Sequence, residues 1–161
     1  MKFFVLQIAL VSASLFTIGC GSSNSLPPAV DQALSDSSSF VLLSLNPDPR
    51  AAPTEGKRIH QWNVLGEAVV NDPSTRYKLI AALRAGVAEN NGEVADCFNP
   101  RHGIRVTDDG KIHELVVCFE CYQIRWYADG EMVKTTLVTG SPQSTFDQVL
   151  KDADIPLAEK L

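Results

Sequence analysis

The chain has 161 residues, of which 45% are apolar, and its 14 basic and 19 acidic side chains give a net charge of −5. One globular domain with a single core is the expectation at this size. The acidic balance excludes a typical nucleic-acid-binding protein, because phosphate binding needs clustered lysine and arginine side chains.

The first twenty residues, MKFFVLQIALVSASLFTIGC, are typical of a secretory signal. Lys2 supplies a positive charge, and an uncharged apolar stretch follows that is too short to be a transmembrane helix. The stretch ends in Thr-Ile-Gly-Cys, which resembles the bacterial lipobox, where a small residue precedes a cysteine that is lipidated. We therefore predict that residues 1–19 are a lipoprotein signal peptide. Acyl chains such as palmitate on Cys20 then anchor the protein in a membrane.

The alternative is an ordinary signal peptide cut near residues 12–14, which leaves Cys20 as a free thiol. With Cys20 lipidated, Gly21 favours the outer membrane and a domain that faces the periplasm, because an aspartate there would signal inner-membrane retention. Residues 20–38 are rich in serine, proline and small polar residues, so we expect the lipidated cysteine and a flexible tether. A short helix over residues 29–34 is the alternative within this segment.

Residues 39–161 are predicted to form the folded domain, which begins with two strands and a helix. A β-prone run over residues 40–45 ends in a proline-rich loop, and a second strand covers residues 59–70. Gly66 in that strand indicates a bulge or a close approach of another segment. Asp72 and Pro73 then open a helix that ends at residues 90–92.

From Gly103 onward the pattern becomes β. Asp-Gly pairs at residues 109–110 and 129–130 predict tight hairpins between the β-prone segments. Ser144 with Asp147 is typical of a capping box at the start of a final helix. The sequence therefore predicts an α+β domain, in which an antiparallel β-meander sheet is packed by two helices.

One constellation of residues carries chemistry: Cys97 and His102 in CFNPRHGI, and Cys118 and Cys121 in CFEC. Three thiolates and one imidazole are a ligand set suited to tetrahedral zinc. Neither glycine nor proline lies within CFEC or directly after it to make a tight turn, and this disfavours a standard zinc knuckle.

Two neighbours of these ligands are candidates for supporting roles in a metal site. We predict that Arg101 moderates the charge of the thiolates and that Glu120 orients the His102 ring.

Oxidation is the rival interpretation, because an exported protein meets a disulfide-forming compartment. With Cys20 acylated, three cysteines remain, so a single disulfide would leave one thiol. Cys97 bonded to Cys118 or to Cys121 would cross-link the two motifs, whereas Cys118 bonded to Cys121 would close a small loop that could be redox-active. Buried, reduced cysteines beside a hydrogen-bonded His102 are the third alternative.

CFNPRHGI followed by CFEC, with FVLLSLNP upstream and IPLAEKL at the end, resembles a family of small bacterial envelope proteins and lipoproteins. The resemblance extends from about residue 40 to the C-terminus. It implies an envelope location and no known activity, so it groups the chain without assigning it a reaction.

These patterns predict a lipid-anchored protein of the bacterial envelope. Its domain is expected to be a non-enzymatic accessory or binding module, in which the Cys/His cluster is structural and the partner is an unidentified envelope protein. The alternative is a thiol-redox or metal-dependent enzyme that uses Cys118 and Cys121. A thioredoxin-type site is disfavoured, because a strand rather than a helix is predicted after CFEC.

Overall fold

The computed structural model describes residues 24–51 and 56–159. Within these ranges, three α-helices and seven β-strands follow one another. In order they are α1 (Pro28–Asp36), β1 (Ser39–Leu45), β2 (Arg58–Ile59), β3 (Trp62–Val69), α2 (Pro73–Glu89), β4 (His102–Asp108), β5 (Lys111–Cys118), β6 (Gln123–Ala128), β7 (Glu131–Leu137) and α3 (Gln143–Asp152). Within the described residues, no helix combines the length and the apolarity needed to cross a membrane. The predicted signal peptide and Cys20 lie outside these residues.

The seven strands form one curled antiparallel sheet in the order β2-β3-β1-β4-β5-β6-β7. Strands β4 to β7 are the predicted meander, and β1 lies between β3 and β4. The connection from β3 to β4, which contains helix α2, therefore crosses over β1. The predicted α+β class with an antiparallel sheet is confirmed, with three helices rather than two.

Both predicted hairpin turns form. Backbone φ is positive at Asp109 (46°) and Gly110 (79°), and again at Asp129 (47°) and Gly130 (87°). Two consecutive residues with positive φ are the signature of a type I′ turn, whose twist matches that of the strands it connects. The meander is thus specified locally at these two turns.

Helix α2 begins as its sequence predicts. The Asp72 carboxylate accepts a hydrogen bond from the Thr75 amide at 2.7 Å, and Pro73 occupies the first turn. Hydrogen bonds from the Thr75 hydroxyl and amide hold the pKa of Asp72 below its usual value. The helix buries Leu79 and Leu83 among the apolar side chains that it turns toward the sheet.

Most of residues 24–38 belong to the folded domain rather than to a tether, and α1 confirms the alternative of a short helix over residues 29–34. Val30, Ala33 and Leu34 are completely buried, and Leu26 before the helix is 5% exposed. Their spacing of three and four residues puts them on one helix face. The serine-rich composition of the segment as a whole does not show this apolar face. Farther upstream, the Asn24 side chain donates a hydrogen bond to the Asn90 carbonyl.

Side chains of the sheet are buried on both of its faces. The larger apolar cluster lies between the sheet and the three helices and includes Phe40, Ile104 and Phe146. The smaller cluster lies on the opposite face and includes Trp62 and Val116. Because successive residues of a strand point to opposite faces, neighbouring residues of β4 and β5 enter different environments.

Gly66 confirms both of the roles that were predicted for it. The register between β1 and β3 shifts here, with Ser44 opposite Gly66 and Leu45 opposite Val64. A Cβ atom at Gly66 would lie 2.7 Å from Cγ2 of Ile155, so the glycine admits the C-terminal segment. The Ser44 hydroxyl donates a 2.6 Å hydrogen bond to the carbonyl of Pro156 in that segment.

Candidate functional site

A disulfide joins the two sequence motifs. Cys97, in the loop before β4, is bonded to Cys121, in the turn between β5 and β6, and their Cα atoms are 5.6 Å apart. Hydrogen bonds reinforce the connection, since the Gln123 side chain donates to the carbonyls of Ala95 and Cys97 at 3.0 and 3.3 Å. The disulfide therefore holds a long irregular loop against the end of the meander.

Cys118 is the free cysteine among the described residues, and it lies beside this disulfide. The sulfur atoms of Cys97, Cys118 and Cys121 are all within 4.8 Å of one another, so the three cysteines meet as the sequence predicts. The Cys118 side chain is completely buried, and this burial raises the pKa of its thiol. The Cys121 amide donates to the Cys118 sulfur at 3.1 Å.

His102 does not join the cysteines, so the predicted four-ligand site is wrong. In the sheet, His102 is paired with Val117, whose side chain belongs to the helix-side cluster. Cys118 is the next residue of β5, so its side chain points to the other face. Strand alternation thus separates the imidazole from the thiol, although the two residues are close along the sheet.

On the helix side, His102 is bonded to Asp147 of α3. The distance from His102 Nε2 to Asp147 Oδ1 is 2.8 Å, and the histidine is 2% exposed. This hydrogen bond holds the pKa of Asp147 below its usual value, so the carboxylate is ionised and accepts the proton of Nε2–H. The rings of Phe119 and Phe146 lie 5.3 and 5.8 Å from the imidazole, between centroids.

The predicted capping box of Ser144 and Asp147 at the start of the last helix is wrong. Helix α3 begins at Gln143, after Pro142, without a side-chain cap, and Ser144 lies inside the helix. Asp147 reaches across to His102 instead of back to the helix start. Nothing in the sequence indicates this pair, because its members are 45 residues apart and only the packing of α3 on the sheet brings them together.

Arg101 and Glu120 are paired with each other, and Glu120 does not orient His102 as predicted. Arg101 Nη1 lies 2.5 Å from Glu120 Oε2, and Arg101 Nε donates to the Glu159 carbonyl at 3.3 Å. Arg101 lowers the pKa of Cys118 and Glu120 raises it, but burial of the thiol outweighs both. The predicted role of Arg101 beside a metal-bound thiolate stays a prediction.

A cleft of about 470 Å³ opens beside the His102–Asp147 pair. Its polar lining comes from Arg101, His102, Glu120, Tyr122, Gln143 and Asp147. Its apolar lining includes Phe119 and, from the C-terminal segment, Leu157. Among the described residues, none of those that line it is a serine, a threonine or a cysteine, so a hydroxyl or thiol nucleophile of those types is missing beside the imidazole.

No protein-family model, curated protein or solved structure matches this chain. The resemblance carried by CFNPRHGI and CFEC therefore stays a prediction.

Proposed function

We propose that this protein is a lipid-anchored component of the bacterial cell envelope, held at the outer membrane and facing the periplasm. Its α+β domain acts as a non-enzymatic binding module for another envelope protein, and the Cys97–Cys121 disulfide stabilises it. That disulfide is the observation that carries the proposal.

The disulfide supports an exported location. Stable disulfides form in oxidising compartments such as the periplasm and are rare in the cytosol, where thiols are kept reduced. The link closes a loop with a sequence separation of 24 residues. By chain entropy alone, closing a loop of that size restricts the unfolded chain and so raises the unfolding free energy by about 3.5 kcal/mol. A structural role follows from this magnitude without any need for redox cycling.

The arrangement of the cysteines disfavours the thiol-enzyme alternative. A redox-active Cys-x-x-Cys pair cycles between its own two sulfurs, whereas Cys121 is bonded here to Cys97. Its would-be partner Cys118 is completely buried and has a raised pKa, so little reactive thiolate is available. Strand β6 follows the pair, so the thiols lack the helix N-terminus that lowers the pKa of a cysteine in thioredoxin-type sites.

The cleft beside His102 is the proposed binding site for the partner protein. Its volume falls within the range of about 300–1,000 Å³ that is usual for ligand pockets. The Arg101 and Asp147 side chains that line it are 13% and 25% exposed, and Glu120 is 56% exposed. Charges of both signs at its rim favour a polar segment of a partner protein over an apolar ligand.

Membrane fractionation and lipid labelling test the anchor. Wild type and Cys20→Ser are expressed with a labelled fatty acid, and Cys118→Ser is the matched control that loses a different cysteine. We expect Cys20→Ser to lose the label and to leave the membrane fraction, while the control keeps both. Unchanged membrane retention of unlabelled Cys20→Ser would contradict the proposal.

The non-enzymatic role is tested by the reduction of insulin disulfides with dithiothreitol as electron donor. We expect the protein to leave the rate at its uncatalysed value, with thioredoxin as the positive control. Peptide mapping without reductant should recover the Cys97–Cys121 link and a free Cys118. Catalytic turnover that disappears in Cys118→Ser would establish the thiol-enzyme alternative.

A further inference from the structure

The turn after β5 has features that the disulfide does not require. The Cys121 amide donates to the Cys118 sulfur three residues earlier, at 3.1 Å. Tyr122 directly after it has φ of +58°, the left-handed conformation that glycine usually supplies. From the opposite loop, the Asn99 amide donates to the Cys121 sulfur at 3.4 Å.

This turn has the shape that a metal-binding cysteine pair needs. The absence of glycine and proline disfavoured a standard zinc knuckle at CFEC, yet Tyr122 adopts the positive φ that such a turn requires. Amide groups that point at sulfur atoms stabilise negative charge there and orient the sulfurs, as the hydrogen bonds around a metal site do. Cys118 takes no part in the disulfide, yet it receives such a bond.

We propose that, once the Cys97–Cys121 disulfide is reduced, the thiolates of Cys97, Cys118 and Cys121 bind one thiophilic d10 cation, Zn²⁺ or Cu⁺. Such cations prefer soft thiolate ligands, and the metal–sulfur distance is about 2.3 Å. Three sulfurs at that distance from a shared ion lie about 4 Å apart. The three sulfur atoms already lie within 4.8 Å of one another, so small side-chain movements suffice.

The cation and the disulfide are alternative states of one cluster. An external dithiol supplies two electrons and two protons to the Cys97–Cys121 bond, which breaks to give two thiols, and the dithiol becomes a disulfide. The cation then displaces a proton from each of the three thiols. On reoxidation, Cys97 and Cys121 pass two electrons to an external disulfide, which takes two protons from water and becomes a dithiol. The Cys97–Cys121 bond is restored, the cation is released, and the Cys118 thiolate takes a third proton from water.

The ligand count follows from the position of His102. Because His102 lies on the helix side, bonded to Asp147, it is not available as the fourth ligand. A tetrahedral Zn²⁺ would therefore keep one position for water or for an external ligand, whereas Cu⁺ is satisfied by three sulfurs. The positive charge of the ion also offsets the burial that disfavours a thiolate at Cys118.

The test uses the full chain carrying Cys20→Ser in detergent, so that Cys97, Cys118 and Cys121 are the cysteines present. The protein is reduced with a phosphine under anaerobic conditions and is titrated with Zn²⁺ against a chromophoric chelator. We expect one Zn²⁺ per chain, and none bound by the oxidised form. Loss of a supporting hydrogen bond alone weakens metal sites about 10–100-fold, so Cys118→Ser should cost at least that factor.

His102→Ala is the control that distinguishes three ligands from four, and it should bind Zn²⁺ as tightly as the parent chain. Equal losses in His102→Ala and Cys118→Ser would overturn the three-thiolate site, and so would a reduced chain that binds no Zn²⁺. Alkylation with mass spectrometry avoids any dependence on the folding of the variants. Zn²⁺ should protect all three cysteines of the parent chain together, and protection of only two would overturn the proposal.

Discussion

The cysteine cluster and the His102–Asp147 cleft come from the same two sequence motifs and have opposite characters. The cluster is joined by a covalent bond, and two of its three cysteines are completely buried. The cleft is organised by the hydrogen bond between His102 and Asp147 and is open to solvent at Glu120. A one-residue step along β5, from Val117 to Cys118, is enough to divide them.

The comparison shows that successive residues of a strand contribute to different sites, because their side chains point to opposite faces of the sheet. Because side chains alternate across a sheet, each face combines with whatever packs against it. On one face this is the loop that carries Cys97, and on the other it is helix α3, which brings Asp147 and Phe146. Substitutions that disturb one face should therefore leave the other largely intact.

The largest effect is expected for Phe146→Ala on the helix side. Phe146 is completely buried and packs edge-on against both Phe119 and His102, so its loss leaves a cavity. Truncation of a buried phenylalanine costs about 3–5 kcal/mol of unfolding free energy, and urea unfolding measures it. Phe146→Leu is the control and should cost clearly less. Alkylation of Cys118 in the folded Phe146→Ala variant checks the other face of the sheet. If that thiol reacted as fast as an exposed one, the two faces would not be independent.

Cys97→Ser should have the next largest effect, this time on the cysteine side. Loss of a native disulfide from a small exported domain typically costs about 2–5 kcal/mol, and chain entropy predicts about 3.5 kcal/mol for this loop. Cys121→Ser removes the same bond, so the double variant should lose no more than the larger single loss. Additive losses in urea unfolding would show that the two cysteines act separately.

Cys118→Ser should cost less, about 1 kcal/mol, because Cys118 is outside the disulfide. Its cost comes from placing a hydroxyl in a completely buried position, although the Cys121 amide is there to donate to it. Thermal or urea unfolding of the oxidised protein measures the loss. A loss as large as that of Cys97→Ser would indicate that Cys118 is itself part of the oxidised cross-link.

The smallest effect is expected for Asp147→Asn, which keeps the shape of the His102 partner and removes its charge. Since Asp147 is partly solvated, we expect about 0.5–1 kcal/mol at neutral pH. The folded-state pKa of Asp147 is lowered, so this stabilisation is complete above the ordinary carboxyl pKa and is lost as pH falls through the lowered value. Wild type and variant should thus converge below about pH 4, and a constant difference down to acid pH would contradict this origin.

Local signals in the sequence predicted the elements that depend on local chemistry. Asp72 and Pro73 start α2, and the two Asp-Gly pairs make the turns of the meander, because these residues satisfy backbone requirements within a few positions. Helix α1 was predicted only as the alternative to a tether, because its buried stripe of Val30, Ala33 and Leu34 lies among polar residues. Burial against the core, rather than composition, decides that this segment is ordered.

Part of the candidate site was predictable in the same way. The convergence of Cys97, Cys118 and Cys121 follows from two motifs that sit at the ends of adjacent strands. The tight turn after Cys118 was not predictable, since it depends on Tyr122 accepting a positive φ that tyrosine adopts only when the surrounding structure holds it there.

The sequence by itself determined the α+β class, the meander and its turns, the capped start of α2 and the three cysteines that meet. Only the tertiary structure decided that Cys97 bonds to Cys121 and that His102 turns to Asp147 on the other face. The physical reason is that turns and caps are settled by the chemistry of adjacent residues. The partner of a side chain in a sheet depends on register, on strand alternation and on which distant segment packs against that face.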